Sequence, residues 1–117
     1  MITKLPKSIE TYFHAINIYD SGLFSECFTE DAVVEDEGKE YHGLATIKEW
    51  IEESNNKLQV KTEVNNVVEQ NDKIVVTAKI DGNFDKTGFP DPLLLDFHFT
   101  IKEDKIAGLT ILFIDDK

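Results

Sequence analysis

Residues 93–114 read LLLDFHFTIKEDKIAGLTILFI, and this stretch decides the fold. Leu93, Leu95, Phe97, Phe99 and Ile101 alternate with Leu94, Asp96, His98, Thr100 and Lys102. A period of two places successive side chains on opposite faces of a strand. Glu103-Asp104-Lys105 turns the chain into a last strand, Ile106 to Ile114. That strand is apolar on both sides, with Ala107, Leu109, Ile111 and Phe113 on one and Ile106, Leu112 and Ile114 on the other. An antiparallel strand with one wet face should alternate, so both faces of this one are expected to be covered. Helices can cover one face, and a second subunit is the expected cover for the other.

The alternation extends upstream. After Asn55-Asn56, Leu58, Val60, Thr62 and Val64 share a face; Val67 breaks that parity, which places a bulge at Asn65-Asn66. Asn71-Asp72 is a tight turn into Ile74, Val76, Ala78 and Ile80. Two glycines and two prolines between Gly82 and Pro92 mark a longer loop, whose part from Asp85 to Pro92 would serve as an adjustable rim or lid.

The first third has helical spacing instead. From Pro6, the apolar residues Ile9, Phe13 and Ile16 recur along one stripe, flanked by Tyr12 and Tyr19, with an exit at Gly22. A short second helix is expected from Leu23 to Phe28, and a strand from Asp31 to Asp36 that breaks at Gly38. A hairpin stub follows over Lys39 to His42. A third helix from Leu44 to about Asn55 then carries Leu44, Ile47, Trp50 and Ile51 on one face. Helices first and long strands afterwards specify an α+β domain, one unit over residues 1–117, with three helices on one face of a curved, mostly antiparallel sheet.

Composition narrows the function. Twelve basic against twenty-three acidic residues give a formal charge of −11, which repels phosphate backbones and anionic lipid headgroups. Nucleic acid and membrane are therefore not expected as partners. No apolar run approaches the roughly 20 residues of a spanning helix, and the first residues have no apolar core of a secretory signal. Cys27 is the one cysteine and can form no internal disulfide. A cytoplasmic protein is expected.

Three stretches carry a family resemblance: Ile9-Glu-Thr-Tyr-Phe-His-Ala-Ile-Asn-Ile-Tyr-Asp20, Phe28-Thr-Glu-Asp-Ala-Val-Val-Glu-Asp36 and Tyr41-His-Gly-Leu-Ala-Thr-Ile-Lys-Glu-Trp50. With them the chain resembles, over nearly its whole length, the SnoaL-like branch of the nuclear-transport-factor-2-like superfamily, which includes ketosteroid isomerases and polyketide cyclases. The resemblance implies a cystatin-like cone with a deep pocket between the concave sheet face and the helices, usually in a homodimer. It is specific for the fold and does not select a reaction.

Asp36 is the sharpest candidate for chemistry. On its strand it shares a face with Ala32 and Val34, so its carboxylate should lose hydration and its pKa should rise from about 3.9. In the resembling isomerases, the aspartate of the same Val-Glu-Asp run is the general base. The other reading makes Asp36 the solvated start of the acidic turn Glu35-Asp36-Glu37-Gly38. Tyr12 stands eight residues before Asp20, the spacing of the oxyanion-binding tyrosine in that group; it could polarise a carbonyl, or simply pack at the pocket rim. The supporting tyrosines of the isomerase pattern correspond here to Phe28 and Ile51. Its further acid falls at Asp96 or Phe97, with the alternation turning Phe97 inward, so ketosteroid isomerase activity itself is not expected.

Val34, Trp50, Phe97, Phe99 and Phe113 are expected to line or close the pocket. Asp96 and His98 share one strand face, either as a proton-transfer pair or as a patch within the dimer interface. His14, His42 and His98 show no metal-ligand spacing, and phosphate-loop, nucleophile-elbow and dinucleotide fingerprints are absent, so neither metal nor other cofactor is expected. Cys27 reads as a small buried apolar residue. Two functions remain. The first is a pocket for a small apolar organic ligand, serving a cofactor-free isomerase or cyclase with Asp36 as base and Tyr12 as donor. The second is a non-catalytic ligand-binding or dimerising module of the same fold.

Overall fold

The computed structural model describes residues 6–70, 73–82 and 93–113, without the side chains of Gln70 and Phe113. The apolar stripe of the first third forms α1 (Lys7–Ile18), and α2 (Ser21–Ser25) follows with the Asp20 side chain capping the backbone N–H of Leu23 at 3.0 Å. Then come β1 (Phe28–Asp36), β2 (Lys39–His42) and α3 (Leu44–Ile51), which runs on into a π-helical turn over Glu52–Asn56. Four long strands follow among the described residues: β3 (Lys61–Gln70), β4 (Lys73–Asp81), β5 (Leu93–Lys102) and β6 (Lys105–Phe113). All six strands join one curved sheet in the order β2-β1-β6-β5-β4-β3, antiparallel except where β1 runs parallel to β6.

Several boundaries differ from the sequence expectation. Helix α1 ends at Tyr19, not at Gly22. Tyr19 adopts a left-handed conformation (φ 62°), which costs a non-glycine residue about 1–2 kcal/mol. Tertiary contacts hold it there: its hydroxyl donates to the Val60 carbonyl at 3.2 Å, and the Lys61 ammonium lies 5.5 Å above its ring. Phe28 opens β1 and does not close α2, because its backbone pairs with Ile106. Leu58 lies in the turn before β3.

The last strand is the main correction. Its register against β5 shifts between Thr100 and Ile101, so that Thr100 faces Gly108 while Ile101 faces Ile106. The extra residue, Ala107, brings Ile106 onto the inner face beside Leu109, and both are buried. Ile106 therefore belongs to the core, and β6 is less two-sided than its sequence implies. Leu112 does point outward and is 48% exposed. The bulge read at Asn65 is present, since Val64 faces Ala78 while Asn66 faces Thr77. The turn at Asn71-Asp72, the loop 85–92, Ile114 and the Phe113 side chain lie outside the described residues.

The core lies between the helices and the concave face. Tyr12 is at its centre, with the rings of Phe13, Phe24, Phe28, Phe97 and Phe99 all within 6.3 Å, centroid to centroid. Asn17 ties α1 to the sheet: its amide nitrogen donates to the Thr62 carbonyl and its oxygen accepts from the Thr62 N–H, each at 2.9 Å.

Candidate functional site

Asp36 is the last residue of β1, and its face is set by alternation with the fully buried Ala32 and Val34. Glu37 and Gly38 form the two-residue turn into β2, both with positive φ (54° and 79°), the backbone shape that suits a tight hairpin. That turn stops the strand where Asp36 meets α3. There the Trp50 indole N–H donates to Asp36 Oδ2 at 3.2 Å. Burial raises the Asp36 pKa, the Trp50 hydrogen bond opposes that rise, and the neighbouring Glu37 charge adds to it.

Tyr12 reaches the same space from α1. Its side chain is 1% exposed. Burial pushes its phenol far above the usual tyrosine range, with smaller contributions from the Asp36 carboxylate and Cys27. At ordinary pH this phenol can donate a hydrogen bond and cannot ionise.

Asp36 and Tyr12 both line a cavity of about 330 Å³, at the small end of ligand-pocket sizes. Its wall is mostly apolar, including Ile16, Ile51, Val60, Ile80, Phe97 and Ile111. Ser54 and Asn55 add polar atoms, and the π-helical turn puts them there. A 3.0 Å bond from the Lys57 N–H to the Glu52 carbonyl adds one residue to the turn, and the Asn55 amide then faces inward to donate to the Ile16 carbonyl at 2.8 Å. No periodicity in the sequence signals that insertion.

Two acids, Asp36 and Glu37, and the Tyr12 phenol thus line one largely apolar hollow. The SnoaL-like domain matches residues 9–109. The chain belongs to the SnoaL-like domain family. A candidate polyketide cyclase from Sinorhizobium meliloti is 36% identical over 92% of this chain and 94% of its own, with a TM-score of 0.83. The fold is shared at lower identity by an NTF2-like protein from Cytophaga hutchinsonii (15%, 97% and 95% covered, TM-score 0.76). It is shared too by a candidate ketosteroid isomerase from Kribbella flavida (12%, 96% and 78% covered, TM-score 0.78). No curated protein matches significantly.

Within this SnoaL-like domain, Trp50 and Phe97 line the cavity. Val34 and Phe99 do not. Val34 is sealed in the sheet between Tyr41 and Leu109, and Phe99 sits deeper in the core beneath Tyr12 and Phe13. The expected lining place of Phe113 lies outside the described side chains. Ile111 lines the cavity and does not face outward. Phe28 and Ile51 offer no hydroxyl to Tyr12. Asp96 is on the outer sheet face, accepting from the Thr77 hydroxyl at 2.6 Å, with His98 beside it on the same face.

His14 and His42 are exposed, and His42 pairs with Glu40 at 3.0 Å. Among the described residues no group of three or more histidine, cysteine or acidic side chains converges as metal ligands, and no helix is long and apolar enough to cross a membrane. Cys27 is buried, its thiol donating to the Leu23 carbonyl at 3.6 Å and its pKa pushed up to about 11 by burial. It is unsuited to act as a thiolate nucleophile.

Proposed function

We propose that this SnoaL-like domain binds a small, largely apolar carbonyl compound and works without a cofactor as an isomerase or cyclase. The observation that supports this reading is the shared cavity of Asp36 and Tyr12: a partly desolvated carboxylate held by Trp50, and a buried phenol. Asp36 takes a proton from the carbon next to the substrate carbonyl. The C–H electron pair passes into the enolate, whose oxygen accepts a hydrogen bond from Tyr12. Return of the proton to another carbon completes an isomerisation; attack of the enolate carbon on a second carbonyl, whose oxygen takes up the proton, completes a cyclisation.

The test is hydrogen–deuterium exchange at the carbon next to the carbonyl of a small cyclic enone, followed by NMR in D2O. Exchange that is accelerated by the protein and lost in Asp36→Asn is the expected result. Binding without acceleration would favour the non-catalytic reading, which the missing tyrosine partners of Tyr12 support.

The working form in this proposal is a cytoplasmic homodimer joined through the outer sheet face. At the centre of that face Val75, Thr77, His98 and Thr110 carry no formal charge with histidine neutral, and the Asp96 carboxylate among them accepts from the Thr77 hydroxyl, in a chain of net charge −11. Leu112 and Val68 are exposed there. Two such acidic chains can approach only through a charge-poor surface. Sedimentation should show Leu112→Lys shifted toward monomer, and an unaltered profile would remove this face from the proposal.

A further inference from the structure

A second hollow, of about 570 Å³, opens at the start of α1 and shares no residue with the cavity of Asp36 and Tyr12. Ser8 lines it. That residue is 8% exposed, and its Oγ is the one buried side-chain polar atom without a hydrogen-bond partner among the described residues. Folded proteins seldom leave a buried hydroxyl unpaired, so this one marks a place to be filled.

The helix start adds further donors beside it. Pro6 takes the N-cap position of α1, and no side chain caps the helix. The Pro6 carbonyl accepts from the N–H groups of both Ile9 and Glu10 at 3.0 Å, whereas the N–H groups of Lys7 and Ser8 precede every carbonyl of the helix. An open helix start has a partial positive charge and N–H groups directed outward, which suits an anion.

The other walls set the size and charge of that anion. Leu23, Cys27 and Ile101 make part of the lining apolar, with the Cys27 thiol already engaged by the Leu23 carbonyl. At the exposed edge Lys7 and Lys105 are balanced by Glu26 and Asp104, so these side chains contribute no net formal charge. The helix start, equivalent to about half a positive charge, therefore decides the sign of the ligand. A phosphate dianion would meet both acids with no surplus of cations. A monocarboxylate needs only the donors present.

We propose that this hollow binds a small aliphatic monocarboxylate. Its carboxylate accepts from the Ser8 hydroxyl and from the open N–H groups at the start of α1, and its short chain lies against Leu23 and Ile101. The site is independent of the carbonyl chemistry proposed for the inner cavity.

Titration of the full chain at low salt with butyrate, butanol and butylammonium, one chain length with three charges, tests this by amide proton–nitrogen NMR. Butyrate is expected to move the Lys7 and Ser8 amide signals to saturation. Ser8→Ala removes the buried donor without adding bulk, and its spectrum shows whether the fold is kept. It should bind butyrate about tenfold more weakly, the scale of one hydrogen bond to a charged group, and butanol should be weaker by a similar factor. Butylammonium acting on the same amides as tightly as butyrate overturns the charge assignment. Butyrate affinity unchanged in Ser8→Ala, or shifts confined to inner-cavity residues such as Ile51 and Asn55, overturns the site. The absence of a saturable shift with all three leaves the Ser8 hydroxyl to water and overturns the proposal, while the inner-cavity reading stands or falls by its own exchange experiment.

Discussion

The Trp50 indole N–H and the Asp36 carboxylate meet at 3.2 Å, joining the end of an edge-side strand to the helix packed across it. The bond fixes one carboxylate oxygen and opposes the effect of burial on its pKa. A hydrogen bond to a charged group contributes about 1.5–3 kcal/mol.

Replacing Trp50 by Phe removes that donor. The Asp36 titration midpoint, followed by carboxyl NMR, should rise further above the ordinary aspartate range. Denaturant melts should show a loss of about 1–3 kcal/mol, from the bond and from weaker packing on Phe24 and Tyr41. A midpoint that stays in place would show that Trp50 does not tune the acid.

Asp36→Asn keeps an oxygen for the Trp50 N–H and removes the charge. The raised pKa means that the folded chain holds this proton more tightly than the unfolded chain, whose reference value is 3.8. The stabilisation from a protonated Asp36 is complete below that value and is lost as pH rises through the elevated midpoint. The variant lacks this loss, so its melting temperature relative to wild type should climb with pH through that window and level off above it. A constant difference across pH would place Asp36 in bulk water.

Tyr12→Phe deletes one hydroxyl and keeps the buried ring, so folding stability should change by no more than about 1 kcal/mol. Turnover should fall by about 100-fold or more if the phenol stabilises an enolate. Unchanged turnover in a well-folded variant would leave Tyr12 as packing only.

Asn17→Ala should cost about 1–3 kcal/mol, because both backbone groups of the buried Thr62 lose their partner at once. Equilibrium denaturation measures it, and a change below about 0.5 kcal/mol would mean that water replaces the amide there.

Much of the scaffold is local and could be read in advance. Alternation over 93–102, the parity break at Asn65 and the glycine turn after Glu37 each depend on a few neighbouring residues, and all are present. The misplacements have a common origin. Strict alternation through Ala107 puts Ile106 on the side opposite Leu109, whereas the bulge that brings the two together depends on what the partner strand offers. Tyr19 ends α1 in a conformation that glycine would favour, held by contacts with residues 41 and 42 positions away.

What this chain determined by itself is the α+β order, the inward-facing set of β4 and β5, and the place of Asp36 on an apolar strand face. These follow from side-chain period and turn chemistry, which act within a few residues. Tertiary structure alone decided that Trp50 holds Asp36, that Tyr12 shares its cavity, and that Asn55 turns inward while Phe99 is sealed beneath. Those relationships depend on how a helix docks across a sheet to within about an ångström, a distance set by packing of the whole core and carried by no local pattern.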